Sequence, residues 1–147
     1  MVLAPYGILQ SLITTRDLTA ALASAARVLR PGGTLGIDLV PDVATWREYT
    51  DHVRLRGRAG RARIALVESV RRDRARGLTI FKEQFLVTRD RRTRRHAFDL
   101  IFRTLPRPEM TRRLRRVGFS IDATLGDYRG GPWHRGASVW IILAKKV

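Results

Sequence analysis

The chain has 147 residues, 44% of them hydrophobic, which is enough for one domain with a sizeable core but not for two. It has no cysteine, which excludes disulfides, thiolate metal sites and a cysteine nucleophile and favours a cytoplasmic location. The formal net charge is +16, from 29 Lys and Arg against 13 Asp and Glu, and 26 of the 29 are Arg. Such an excess indicates a polyanionic partner, although a GC-rich genome would produce the same bias without one.

Targeting and membrane segments are not predicted. The apolar start MVLAPYGILQSLI has no basic residues before it, so we do not interpret it as a signal peptide. No apolar run approaches the roughly 20 residues that a membrane helix needs, so we expect no membrane partner.

The first forty residues predict a strand, a helix and a second strand. Residues 1–5 start as a strand, and ILQSLI (8–13) follows as a loop or short helical turn. A helix then runs to about Leu29, capped by Thr14 or Thr15, with an apolar stripe at helical spacing. Pro-Gly-Gly at 31–33 ends it, because proline cannot continue a helix and glycine takes left-handed conformations.

TLGIDLV (34–40) is short and mostly apolar, as strands buried on both faces are. The order indicates a parallel strand–helix–strand unit. Asp38 within this strand is either an acid near the switch point of the sheet or a buried group satisfied by its neighbours, and the sequence leaves both open.

The middle of the chain changes to a period of two. VATWREYTDHV (43–53) predicts a short helix, and HVRLRGRAGRAR (52–63) predicts a mobile connection. From there, apolar and polar residues alternate in three runs separated by the charged segments RDRARG and TRDRRTRR. The pattern predicts a three-stranded antiparallel meander over 63–105, with its arginines mainly in the turns.

The last third predicts a helix and two strands. Pro106 and Pro108 open the helix PEMTRRLRRVG, and Gly118 closes it. FSIDATLG then forms a strand near 119–125 and ASVWIILAKK the last strand near 138–145, both antiparallel, with DYRGGPWHRG as the loop between them.

Together these segments resemble the C-terminal half of a class I S-adenosylmethionine-dependent methyltransferase. LRPGGTLGIDL is similar to that family's hinge before its fifth strand, and APYGILQSL to the end of its fourth. PEMTRRLRRVGFSIDATLGDY is similar to the late helix and sixth strand, and ASVWIILAKK to the antiparallel seventh. The resemblance implies an α/β fold, the C-terminal half of a Rossmann-like sheet, in one partial domain over 1–147 with the meander as an insert.

The resemblance also implies methyl transfer from S-adenosylmethionine to a small molecule, with Ala4, Pro5 and Tyr6 beside the reactive methyl group. Tyr6 could hydrogen-bond an acceptor or be buried in the core. In the loop before the last strand, Trp, His and Arg side chains suit an acceptor pocket, in which Arg129 would pair with a carboxylate. The alternative is an ordinary solvent-exposed loop. The candidate acceptor residues there are Tyr128, Arg129, Trp133 and His134.

The family's glycine-rich cofactor loop and ribose-binding acid have no counterpart in this sequence, since the glycine pairs at 32–33 and 130–131 do not follow a first buried strand. We therefore expect the chain alone to bind S-adenosylmethionine weakly or not at all and to be inactive. It would be a truncated reading frame, a remnant or half of a split enzyme. Val2–Tyr6 would then form an exposed strand edge that invites self-association or a missing N-terminal half.

The alternative function is an Arg-rich nucleic-acid-binding module acting through the charged turns. Those turns contain no aromatic residues on which bases could stack, so only weak, sequence-blind binding is expected. The three histidines, His52, His96 and His134, have no ligand spacing, and no metal site is predicted.

Overall fold

The structure, a computed structural model, describes residues 1–40 and 47–147. The chain divides into two compact units, Met1–Val43 with Arg103–Val147 and Ala44–Phe102. The described residues form eight strands and two α-helices, with a short 3-10 helix at Ile8–Gln10. In chain order they are β1 (Val2–Ala4), α1 (Thr15–Val28), β2 (Thr34–Leu39), β3 (Tyr49–Ala59), β4 (Ala62–Asp73), β5 (Leu78–Arg89), β6 (Arg92–Arg103), α2 (Arg107–Arg116), β7 (Phe119–Leu125) and β8 (Trp140–Lys146).

The first unit contains a mixed sheet in the order β1-β2-β8-β7. β1 pairs with β2 in parallel, and β8 is antiparallel to both β2 and β7. β1, β2 and β7 therefore run in one direction and β8 in the other. The parallel pair β1 and β2 and the antiparallel pair β7 and β8 confirm the sequence prediction. The 3-10 turn after β1 and both helices are also confirmed, with helix ends within a few residues of expectation.

Helix α1 begins at a side-chain cap and packs one face. The hydroxyl oxygen of Thr14 accepts a hydrogen bond from the backbone N–H of Asp17 at 3.1 Å, which satisfies one of the free N–H groups of the first turn. Leu18, Leu22 and Ala26 are buried on the helical stripe. Burying each leucine stabilises the fold by about 1.5–3 kcal/mol.

The hinge after α1 is a separate turn rather than a glycine cap of the helix. The helix ends at Val28, and the N–H of Gly33 donates to the carbonyl of Arg30 at 2.9 Å. Pro31 and Gly32 occupy the two central positions of this four-residue turn. Gly32, at the third position, has φ +75°, a positive φ that this kind of turn requires and that glycine adopts readily. Chain reversal at this point aligns β2 for pairing with β1.

The core of the first unit lies around β2, β8 and α2. Met110 and Leu114 on α2 and Phe119 on β7 are fully or almost fully buried, and Gly118 turns the chain between them with φ +86°. β2 is buried along five of its six residues. Its burial confirms the prediction from the apolar run TLGIDLV.

The second unit contains a four-stranded antiparallel sheet in the order β3-β4-β5-β6. The prediction of a three-stranded meander starting at residue 63 is therefore wrong by one strand. HVRLRGRAGRAR is not a mobile connection: it supplies most of β3, a turn at Gly60 with φ +57°, and the start of β4. The short helix predicted over 43–53 is wrong at Tyr49–Val53, which belongs to β3, and its beginning lies outside the described residues.

The arginines of this sheet are mostly in strands and not in turns. β6 starts at Arg92, so the turn before it is only Asp90 and Arg91, both with positive φ, as a tight hairpin requires. Much of TRDRRTRR and RDRARG lies within β4, β5 and β6. Alternate residues of a strand lie on one face of the sheet, and where that face is exposed to solvent its arginines need no ligand to be stable. Among the described residues, no helix is both long and apolar enough to cross a membrane.

Candidate functional site

The candidate site lies where the parallel strands β1 and β2 end. Both strands run the same way, so their carboxyl ends meet at one edge of the sheet, the edge at which α/β folds bind ligands. The backbone N–H of Gly7, just after β1, donates to Oδ1 of Asp38 at 2.9 Å. Asp38 is buried and is the second-last residue of β2. This bond joins the two strand ends.

Tyr128 approaches the same carboxylate from the loop after β7. Its hydroxyl donates to Oδ2 of Asp38 at 2.6 Å, which is a short, charge-assisted distance. The hydrogen bond to Asp38, followed by partial burial, raises the pKa of Tyr128 to about 12. Tyr128 is therefore a neutral donor at physiological pH. Asp38 is thus an acid at the edge where the parallel strands end, and its two oxygens also accept hydrogen bonds from neighbouring residues. Both interpretations that the sequence leaves open for Asp38 therefore apply.

Tyr6 is exposed at the end of β1 and is not a core tyrosine. Its side chain is 89% exposed, and its backbone φ is +57°. The left-handed region costs a residue with a Cβ atom about 1–2 kcal/mol, and such strain concentrates at functional positions. Of the other candidate cofactor residues, Ala4 ends β1 half-buried and Pro5 is exposed directly after it.

Gln10 is a site residue that sequence reasoning missed. It is almost fully buried; its Oε1 accepts from the N–H of Val40 at 2.8 Å and its Nε2 donates to the carbonyl of Val40 at 3.1 Å. These hydrogen bonds connect the 3-10 turn after β1 to the end of β2. A glutamine in the apolar stretch ILQSLI is the signal that could have indicated a buried amide.

The loop between β7 and β8 is held by its own contacts. Oδ1 of Asp127 accepts from the N–H groups of Gly131 and Arg129, at 2.9 and 2.8 Å, and these bonds lower the pKa of Asp127. Trp133 packs against the core, with the guanidinium carbon of Arg107 4.3 Å from its ring centroid. Nδ1 of His134 accepts from the N–H of Gly136 at 3.2 Å.

The four candidate acceptor residues therefore have different surroundings in the structure. Tyr128 is bonded to the strand edge through Asp38. Trp133 contributes to packing, while Arg129 and His134 have exposed side chains in the loop. Within the described residues, no group of three or more His, Cys, Asp or Glu side chains is placed to hold a metal.

The residues present do not form a complete cradle for S-adenosylmethionine. Each oxygen of Asp38 already accepts one hydrogen bond within the chain, which leaves this carboxylate fewer acceptor positions for ribose hydroxyls. In the described part of the chain, the turn from β1 to the first helices contains a single glycine, Gly7, and not a glycine-rich loop.

Comparison with solved structures identifies the fold of this chain. No protein-family model matches the chain, and no curated protein sequence matches it. Similar solved structures include the sugar N-methyltransferase KedS8 from Streptoalloteichus sp ATCC 53650, with TM-score 0.76, 16% identity, and coverage of 99% of this chain and 56% of KedS8. The S-adenosylmethionine-bound amino pentose methyltransferase CalS10 from Micromonospora echinaspora has TM-score 0.70 and 20% identity over 99% of this chain and 57% of CalS10.

A third similar structure is an S-adenosylmethionine-dependent methyltransferase from Clostridium acetobutylicum ATCC 824, with TM-score 0.68 and 13% identity over 95% of this chain and 55% of that protein. The chain spans a little over half the length of each of these structures. None of the three is described as a nucleic-acid-binding protein. Along almost its whole length, this chain has the fold of the class I S-adenosylmethionine-dependent methyltransferases.

Proposed function

We propose that this chain is part of a methyltransferase and corresponds to the C-terminal half of its Rossmann-like sheet. The observation that supports this most is the joining of Asp38, Gly7 and Tyr128 at the carboxyl ends of two parallel strands. In α/β folds this edge faces the ligand. The fold similarity to methyltransferases over 99% of the chain adds independent support.

The edge offers an acceptor two kinds of surface. Tyr128 presents a neutral phenol held in place by Asp38, and Tyr6 presents an exposed aromatic ring. Methyl transfer depends chiefly on alignment of the reactants, so a strand end fixed by several hydrogen bonds suits it. In this proposal, Ala4, Pro5 and Tyr6 face the cofactor, and Tyr128 faces the acceptor.

The proposed acceptor is a small molecule that carries an amino group. KedS8 is a sugar N-methyltransferase, and CalS10 is an amino pentose methyltransferase. The proposed methyl donor is S-adenosylmethionine, which is bound in the structure of CalS10. Because the described residues form only one edge of a cofactor site, we expect the chain alone to bind weakly.

The test is an amide NMR titration of the chain with S-adenosylhomocysteine at millimolar concentration. Shifts should concentrate at Tyr6 and Gly7 and be absent at Gly60, which lies in the turn between β3 and β4. Calorimetry should show no micromolar binding, which would correspond to about −8 kcal/mol. Shifts at Gly60 as large as those at Tyr6 and Gly7 would contradict the placement of the site at this edge; micromolar affinity would contradict the expectation of an incomplete site.

A further inference from the structure

Three arginines surround an open cavity on one face of the second unit's sheet. The cavity has a volume of about 480 Å³, and Arg56, Arg58 and Arg63 are among the residues that line it. This volume lies within the range of small-molecule pockets, about 300–1,000 Å³. An arginine on a flat exposed face needs no ligand, but a concave surface with several arginines offers a ligand many contacts at once.

The register of β3, β4 and β5 explains the shape of this cavity. Arg56, Ala65 and Leu86 are directly opposite one another across the three strands and therefore share a face. Arg58 and Arg63, two positions further along β3 and two positions back along β4, form the neighbouring row on the same face. Ala65 has the shortest side chain of the five, so a hollow remains between its longer neighbours.

Arg58 and Arg63 are a pair of like charges directly opposite each other, which is unfavourable on a sheet. The ion pairs among the described residues include neither of them, nor Arg56. The described lining of the cavity contains no acidic residue. A guanidinium group keeps its proton in proteins, so this pair cannot neutralise itself. A bound anion between the two side chains would offset their repulsion.

A pair of acids on the other face of the sheet shows how the chain satisfies such an arrangement internally. Glu68 on β4 is directly opposite Glu83 on β5. Burial, followed by the hydrogen bond and the negative charge of Glu68, raises the pKa of Glu83 to about 7. Nε of Arg54 lies 3.3 Å from Oε1 of Glu68. A shared proton and one arginine therefore balance the two acids, whereas Arg58 and Arg63 have no comparable partner among the described residues.

Two hydroxyl groups line the same cavity beside the arginines. Oγ1 of Thr88 lies 2.9 Å from Oγ1 of Thr93, and Thr88 is directly opposite Arg63. One hydroxyl hydrogen is used in the bond between the two threonines, which leaves the other free to be donated to a ligand. The guanidinium fork matches the oxygen atoms of phosphate and carboxylate groups. The cavity therefore offers the donors and the positive charge that an oxyanion requires.

The floor of the cavity is apolar. Ala65 and Leu86 lie side by side on neighbouring strands, and both are half-buried. Arg56, at the end of the same row, carries a planar guanidinium group of the kind that stacks on aromatic rings. A flat ring can lie on the two apolar side chains and against this arginine while its charged group reaches the neighbouring row. These contacts favour an aromatic anion over a small inorganic one.

We propose that this cavity binds the phosphate monoester of an aromatic alcohol, with the phosphate between Arg58 and Arg63 and the ring on Ala65 and Leu86. A phosphate monoester carries about 1.5–2 negative charges at neutral pH, which match the two opposed guanidinium groups. Every residue of this site belongs to the second unit, so the proposal goes beyond the proposed function and does not depend on it.

The experiment is an amide NMR titration of the full chain with 1-naphthyl phosphate. The controls are 1-naphthol, which has the ring without the charge, and inorganic phosphate, which has the charge without the ring. 1-Naphthyl phosphate should shift the amide signals of Ala65, Leu86 and Thr88 in a saturable way. Each control should bind about tenfold more weakly or less, because it lacks one half of the contacts. Equal binding of either control, or no response to 1-naphthyl phosphate, would overturn the proposal.

Matched variants separate this cavity from a general attraction of anions to the chain. Arg58→Gln and Arg63→Gln should each weaken binding of 1-naphthyl phosphate about tenfold, because each loses a charged donor. Arg94→Gln removes the same charge from an exposed arginine on the opposite face, beside a cavity of about 640 Å³ that also contains Asp90, and should leave binding unchanged. Ala65→Leu should abolish the preference over inorganic phosphate by filling the hollow. Wild-type binding by both Arg58→Gln and Arg63→Gln, or an equal loss in Arg94→Gln, would refute the site.

Discussion

Replacing Asp38 by alanine should loosen the edge at which β1 and β2 end. The substitution removes the acceptor of the Gly7 N–H, at 2.9 Å, and of the Tyr128 hydroxyl, at 2.6 Å. It also leaves the N–H of Gly7 without its partner in a buried position.

The expected loss follows from these two bonds. A hydrogen bond to a charged acceptor contributes about 1.5–3 kcal/mol, and the bond to buried Gly7 should lie in this range. The Tyr128 side chain is largely exposed, so its bond contributes about 0.5–1 kcal/mol. Asp38→Ala should therefore destabilise the first unit by about 2–4 kcal/mol, Asp38→Asn by about 1 kcal/mol, and Tyr128→Phe by about 0.5–1 kcal/mol. Asparagine loses less because its oxygen can still accept from Gly7.

The assay is urea unfolding at pH 7 followed through the amide signals of β2, with hydrogen exchange at Gly7 as a local readout. Exchange at Gly7 should be faster in Asp38→Ala by one to two orders of magnitude and close to wild type in Tyr128→Phe. If Asp38→Ala is as stable as Tyr128→Phe, or if Gly7 exchanges no faster, the carboxylate does not join the strands and the site argument fails.

Three other outcomes are expected. In a spectrophotometric titration, Tyr128 should ionise near pH 12, and Asp38→Ala should bring it back towards 10, because the Asp38 bond is the main cause of the shift; an unchanged titration would contradict that cause. The folded pKa of Glu83, about 7, exceeds its ordinary value of 4.5, so the contribution of this group to stability is largest below pH 4.5 and should fall by about 2–3 kcal/mol as pH rises to 7; Glu83→Gln should remove this contribution from the pH profile of unfolding. The exposed arginines should bind oligonucleotides without sequence preference, with log K falling steeply against log salt, about −0.9 per phosphate neutralised, in fluorescence anisotropy; a complex that prefers one sequence or survives 1 M salt would contradict the methyltransferase proposal.

Local signals predicted the first unit well. The Thr14 cap, the stripe along α1 and the Pro-Gly-Gly turn act over a few residues, so the sequence displays them directly. β2 was predictable because its run of apolar residues needs no partner to be recognised. The Asp38–Tyr128 bond could not be foreseen, since it joins residues 90 positions apart through the pairing of β2 with β8.

The second unit shows why a strand was missed. In VRLRGRA, apolar or small residues alternate with arginine, which is the period of a strand. The charge and the glycines of the same stretch favour a connection instead. A strand at the edge of a sheet, with one face exposed to solvent, tolerates both the arginines and the glycines.

The pairing of Glu68 with Glu83 depends on register, which the sequence left uncertain. The sequence predicts a six-residue turn at RDRARG, but β4 continues to Asp73 and β5 begins at Leu78. A shift of one residue in such a hairpin moves every side chain to the other face. The two carboxylates could therefore be placed together only from the structure.

The edge formed by β1 carries a last prediction about association. β1 pairs with β2 on one side, Val2 with Leu35 and Ala4 with Ile37, and lies at the end of the sheet order. Leu3 is 66% exposed beside the open row of backbone groups. Apolar side chains next to unpaired N–H and C=O groups invite another strand.

We therefore expect the chain to self-associate through this edge, weakly because β1 has three residues, with a dissociation constant on the order of 10–100 µM, about −6 kcal/mol. Sedimentation velocity at several concentrations measures it. Leu3→Lys should shift the chain towards monomer, because a charge on an edge strand disfavours pairing, whereas Val28→Lys, an equally apolar-to-charged change at the exposed end of α1, should not. Co-expression with the N-terminal part of a structurally similar methyltransferase should also relieve the association. A monomer at all concentrations, with slowly exchanging amides at Leu3 and Ala4, would mean that the edge is protected and that no second strand is needed there.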